Sequence, residues 1–91
     1  MAKVTFRQNL VHTEWTLIAD GDTTETIGVI ATGAEVFIFI GDEEPELSET
    51  EHFPISAADT RELAMDIPEG FAMYARGERG KAQVAGYRIA R

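Results

Sequence analysis

The chain has no cysteine, which excludes disulfides and thiolate metal sites. Histidine is nearly as scarce. His12 and His52 stand alone, without an H-x-x-H or H-E-x-x-H context, so neither a histidine metal site nor a histidine base is indicated. Lysine occurs only at Lys3 and Lys81, whereas arginine, which interfaces favour over lysine, is common. No apolar run approaches the roughly 18 residues of a helical membrane span. The opening "MAKVTFRQNL" lacks the apolar segment of a secretory signal peptide, so use without export is expected. No G-x-G-x-x-G or P-loop is present, and Ser48 and Ser56 lack a G-x-S-x-G context. These absences point away from an enzyme and away from cofactors.

What is present is acid. The net charge is −8. Residues 1–70 hold fifteen acids and three bases, a balance of −12, while residues 71–91 hold five bases and one acid, a balance of +4. The overall field disfavours nucleic acid and anionic lipid. The asymmetry suits protein contacts, head to tail or side to side.

Ninety-one residues make one domain, which buries only about 60–65% of its unfolded surface. With no disulfide staple, oligomerisation is a common support for so small a fold. Short apolar stretches, often alternating and separated by turn residues, indicate an all-β fold: a small antiparallel β-sandwich or jelly-roll-like barrel of about 7–8 short strands. Residues 1–12 are less patterned and read as an extended arm, leaving 13–91 as the sandwich. "EWTLIA" (14–19) reads as a strand with Trp15, Leu17 and Ala19 on one face. "DGD" (20–22) is a tight turn. In "ETIGVIA" (25–31) Ile27 and Val29 share a face, and Gly28 marks a bulge or a close backbone approach.

"AEVFIFI" (34–40) is the strongest strand. Val36, Ile38 and Ile40 point one way, Phe37 and Phe39 the other, so both faces must be covered. A loop, the arm or another subunit can cover the second face; another subunit is the expectation. "GDEEPELSETE" (41–51) is an exposed acidic loop, and "HFPIS" (52–56) a short edge strand, since Pro54 cannot donate to a ladder. Ser56 and Asp59 fit a capping box, but alternation of Leu63, Met65 and Ile67 favours a strand over 61–67, closed by a tight turn at "IPEG".

The closing stretch reads as a hairpin around "GERG" (77–80). In that register Arg76 faces Lys81, Ala75 faces Ala82, Met73 faces Val84 and Phe71 faces Gly86, an aromatic covering a glycine. A slip at Gly86 would turn Tyr87 and Ile89 inward. Tyr74, Arg76, Lys81 and Gln83 then share a basic outer face.

Asp20, Asp22 and Glu25 resemble a calcium loop only loosely. They lack the EF-hand spacing, and turn chemistry accounts for Asp-Gly-Asp without a metal. Trp15, Tyr74 and Tyr87 would supply the platform of a carbohydrate-binding module, the alternative reading of function.

"TGAEVFIFIGDEEP" followed by "FPISAADTRELAMDIPEGFAMYARGERGKAQV" resembles small structural proteins of tailed-bacteriophage virions, head-decoration or head-fibre base modules. The order is an apolar strand ending in Gly, a Pro-containing loop, a "PIS" stretch, then "P-x-G" ahead of a "YARG" turn. The resemblance implies a β-sandwich, often trimeric, located in the virion, with the major capsid protein or another virion protein as partner and no catalytic residues. The interface candidates are Val36, Phe37, Phe39, Tyr74, Arg76 and Lys81.

Overall fold

A computed structural model describes residues 4–56 and 62–91. The strand assignment at Arg61 and the capping role of Asp59 lie outside them. The rest is all β: β1 (Thr5–Leu10), β2 (Thr16–Asp20), β3 (Thr24–Thr32), β4 (Val36–Gly41), β5 (Phe53–Ile55), β6 (Leu63–Asp66), β7 (Ala72–Gly77) and β8 (Ala82–Ala90). They form two antiparallel four-stranded sheets, sheet A in the order β1-β8-β3-β6 and sheet B in the order β2-β7-β4-β5.

The pairing has a simple rule. β1 lies on β8, β2 on β7, β3 on β6 and β4 on β5. The chain is one long antiparallel ribbon, folded at the 42–52 loop and wound so that β8 also meets β3 and β7 also meets β4. That is the double-sheet jelly roll. The β4–β5 loop is the ribbon's turning point and joins strands of one sheet, whereas each other connection passes between sheets.

Alternation buries one face of each sheet against the other. Ile27, Val29 and Ala31 of β3 and Ala82 and Val84 of β8 meet Val36, Ile38, Met73 and Ala75 from sheet B, all fully or almost fully buried. Ile67, fully buried, closes one end and donates its backbone N–H to Glu25. The "IPEG" turn forms as expected, with Phe71 N–H on the Pro68 carbonyl and Gly70 at φ 87°. The radius of gyration, 12.2 Å, matches a compact body of this length.

Four expectations are corrected. First, 71–86 is not a hairpin. β7 and β8 belong to different sheets, so Met73 and Ala75 meet Ala82 and Val84 across the core rather than along a ladder. The apolar pattern is the same for either arrangement, because alternation specifies a face and not a neighbour. Phe71 is exposed and does not cover Gly86; the aromatic opposite Gly86 is Phe6. Second, the pairing runs through Gly86 without a slip. Tyr87 stays on the outer face, Ile89 is exposed, and Arg88 turns inward, its Nε donating to the Ile18 carbonyl at 2.7 Å with the guanidinium 3.8 Å above the Phe6 ring. Third, residues 5–10 are not an arm outside the sandwich but β1, an edge strand on β8. Its weak pattern reflects Gln8, which sits between the inward Phe6 and Leu10 where an apolar residue would complete the alternation. Fourth, a register shift between Leu17 and Ala19 leaves Leu17 outward while Ile18 and Ala19 are both buried, so Ala19 does not share the face of Trp15 and Leu17.

Candidate functional site

The outer face of sheet B collects most of the residues singled out above. The ladders set its rows. Leu17 of β2 lies opposite Tyr74 of β7, which lies opposite Phe39 of β4. One level along, Arg76 lies opposite Phe37, and Phe37 opposite Pro54. Aromatic residues in such cross-strand positions touch and stabilise by about 0.2–1 kcal/mol per pair.

Half of this face is closed by the chain itself. Trp15, which immediately precedes β2, folds over the row with 5% of its surface exposed. Its ring is 6.1 Å from Phe39 and 5.8 Å from His52, and His52 is 4.5 Å from Phe37. The Arg76 guanidinium sits 5.2 Å from the Trp15 ring and 5.1 Å from the Phe37 ring, while Nη1 donates to the His12 carbonyl at 3.2 Å. Such cation–π contacts contribute on the order of 1 kcal/mol each when partly desolvated. Trp15 Nε1 donates to the Glu46 carbonyl at 3.1 Å, which pins the acidic 42–52 loop across the sheet. Inside this cluster His52 Nδ1 and Arg76 Nε are buried without a hydrogen-bond partner. The apolar second face of β4 is thus covered by a loop of its own chain, where a second subunit was expected.

The other half is open. Leu17 is 49% exposed, and Tyr74 beside it is half-buried. Asp20 lies one level along the strands from that row, opposite Ala72, which pairs with Gly41. The acidic loop starts directly after Gly41. Partial burial and, after it, the charges of Glu44, Asp20 and Glu43 push the Tyr74 phenol above the ordinary 10.0. The open part of the row is therefore a strip of Leu17 and Tyr74 with a carboxylate rim.

The candidates divide accordingly. Phe37, Phe39, Tyr74 and Arg76 are on this face. Val36 is not: it is fully buried in the core and is withdrawn as an interface residue, because it points to the opposite side of β4 from Phe37. Lys81 is not on the face either. It sits in the β7–β8 crossing with φ 69°, exposed, and the hairpin that would have placed it beside Arg76 does not form. Gln83 lies in sheet A, where it bonds Arg7, Asn9 and Thr32. Sequence reading missed Trp15 and His52 as members of the cluster, since both lie outside the strands whose alternation identified the rest.

The basic residues of the last stretch are mostly spent on the fold. Arg76 covers rings, Arg88 spans the core end, and Arg91 donates through Nε to Gly21 and through Nη2 to Ile67. Arg79 and Lys81 remain exposed, with no side-chain hydrogen bond or ion pair among the described residues.

On sheet A's outer face, the Tyr87 ring lies over Gly28, and a hydrogen bond to Glu62, more than burial or the Glu62 charge, raises its phenol above 10.0. A depression of about 180 Å³ lies here, lined by Gly28, Ile30, Glu62, Ala85 and Tyr87. Tyr74 and Tyr87 thus occupy opposite faces and Trp15 is buried, so these three residues form no common sugar-binding platform. The acids of the 20–25 turn are engaged in turn chemistry: Asp20 Oδ1 accepts from Asp22 N–H and Asp22 Oδ1 from Gly70 N–H, each at 2.9 Å. Among the described residues no group of three or more acids and histidines is arranged for a metal.

No protein-family model matches this chain, and neither does any curated protein sequence.

Proposed function

We propose that the chain is a non-enzymatic assembly module of a tailed-bacteriophage virion, a head-decoration or capsid-associated protein that works as an oligomer. The observation that carries this reading is the open end of sheet B's outer face, where exposed Leu17 lies beside Tyr74 with a carboxylate rim. An exposed leucine beside a half-buried tyrosine and several carboxylates is contact chemistry, tyrosine being enriched where proteins meet, and the Trp15 cover lies over the Phe37–Phe39 half of the face, leaving Leu17 open. Two arguments support the virion setting. One is the resemblance carried by "TGAEVFIFIGDEEP" and the "YARG" turn. The other is fold-level analogy, since jelly rolls recur in viral shells. The test is co-sedimentation of the purified chain with tailed-phage heads over a salt series, together with its mass by sedimentation equilibrium. The expected result is an oligomer that pellets with heads and is released as salt rises. A monomer that stays in the supernatant with every head preparation overturns the reading.

A further inference from the structure

The carboxylate-rimmed strip and the exposed basic tip lie apart on the molecule. β7 runs from Ala72, at the level of Asp20 and Gly41, to Gly77, just before the tip. At 3.3 Å per residue that separation is roughly 17 Å. The tip, residues 78–81, then crosses from sheet B to sheet A, away from the strip, so one copy's tip does not fold back onto its own Tyr74.

We infer that the strip receives the β7–β8 tip of a second copy, with Arg79 and Lys81 meeting the rim of Asp20, Glu43 and Glu44 and one of the two stacking on Tyr74. This rests on the assembly reading above and names the partner surface within it. Charge complementarity selects this occupant. Three of the five bases in the last stretch are engaged within the fold, and the two that are not stand together at the tip. The chain already uses the same chemistry on itself, with Arg76 over Trp15 and Phe37 and Arg88 over Phe6. Because donor and acceptor surfaces are different patches, the contact is head to tail. Such contacts close into rings when the rotation permits and otherwise run on as filaments; a ring is the form that suits the expected trimer.

Two charge reversals test it. Arg79→Glu with Lys81→Glu makes the tip acidic, and Glu43→Lys with Glu44→Lys makes the rim basic. Each double variant should weaken self-association by about tenfold or more at low salt, measured by sedimentation equilibrium, with an unchanged circular dichroism spectrum. Mixed in equal amounts, the two should regain association, because each reversed tip meets a reversed rim and each native tip a native rim. A folding defect does not produce that recovery. If both variants associate as the wild type does, copies meet elsewhere: the assembly reading stands and this inference falls. If both lose association and the mixture does not regain it, tip and rim are not partners. A wild-type monomer also overturns the inference, and head co-sedimentation then decides the docking part of the reading by itself.

Discussion

Two glycines on neighbouring strands carry opposite kinds of constraint. A Cβ at Gly86 would lie 1.8 Å from the Gly28 carbonyl oxygen, which is backbone and cannot move without parting β3 from β8. A Cβ at Gly28 would lie 2.4 Å from the Tyr87 ring, which can swing out to solvent. Gly86→Ala should therefore cost about 3 kcal/mol or more and Gly28→Ala nearer 1 kcal/mol in urea unfolding. The Gly28 cost should shrink in a Tyr87→Ala background, since the two residues compete for one space. The tyrosines themselves titrate in a predictable direction. Both phenols are raised above 10.0, so the fold prefers their neutral form. Stability from them is complete below pH 10 and declines as pH rises through the raised folded values. Alkaline difference absorbance should show both ionising above 10. Glu62→Ala should lower Tyr87 alone, and Glu43→Gln with Glu44→Gln should lower Tyr74 alone. A single unshifted step at 10 would contradict both assignments.

Between strands, the element that decides what sheet B presents is the 42–52 loop, and Trp15 holds it. Trp15→Phe keeps a ring against Phe39 and His52 but loses the bond to the Glu46 carbonyl, a loss of about 1 kcal/mol. Trp15→Ala removes the ring as well and should cost about 3–5 kcal/mol. A glutamate-directed protease reports the difference: cleavage within 42–51 should be slow in the wild type, slightly faster in Trp15→Phe and much faster in Trp15→Ala. Equal rates would mean that the loop is not held by Trp15. This element also shows how far sequence reading reaches. Alternation identified β3, β4 and the inward set Met73, Ala75, Ala82 and Val84, because period two reports which face a residue takes. It did not identify the partner strand, since an inter-sheet crossing and a hairpin bury the same set. It failed past the Leu17–Ala19 irregularity, where one extra residue reverses the alternation. Phe37, Phe39, Tyr74 and Arg76 were legible because they occupy regular strands. Trp15 and His52 were not, because their positions depend on how a loop crosses a sheet.

For the whole molecule, charge acts on folding and on assembly with opposite signs. A net charge of −8 on 91 residues, with six acids within residues 41–51, repels itself in the folded state. Raising salt from about 50 mM to about 500 mM shortens the screening length from roughly 14 Å to roughly 4 Å. That relieves the repulsion and should raise the melting temperature of a non-associating form, such as Arg79→Glu with Lys81→Glu. The same change weakens the attraction between a basic tip and an acidic rim, so the wild type should dissociate as salt rises. Wild-type oligomer gains stability from association at low salt and loses it at high salt, and its melting temperature should respond to salt less steeply than that of the variant. The variant exchanges two bases for two acids and carries −12 against −8, so its greater self-repulsion also steepens its slope; parallel melts at two protein concentrations separate the two effects, because only association depends on concentration. A wild-type salt slope that does not change with concentration would show that association contributes nothing to the stability of this fold, and a wild-type rise that steepens with concentration would show that its copies are held by apolar rather than ionic contact.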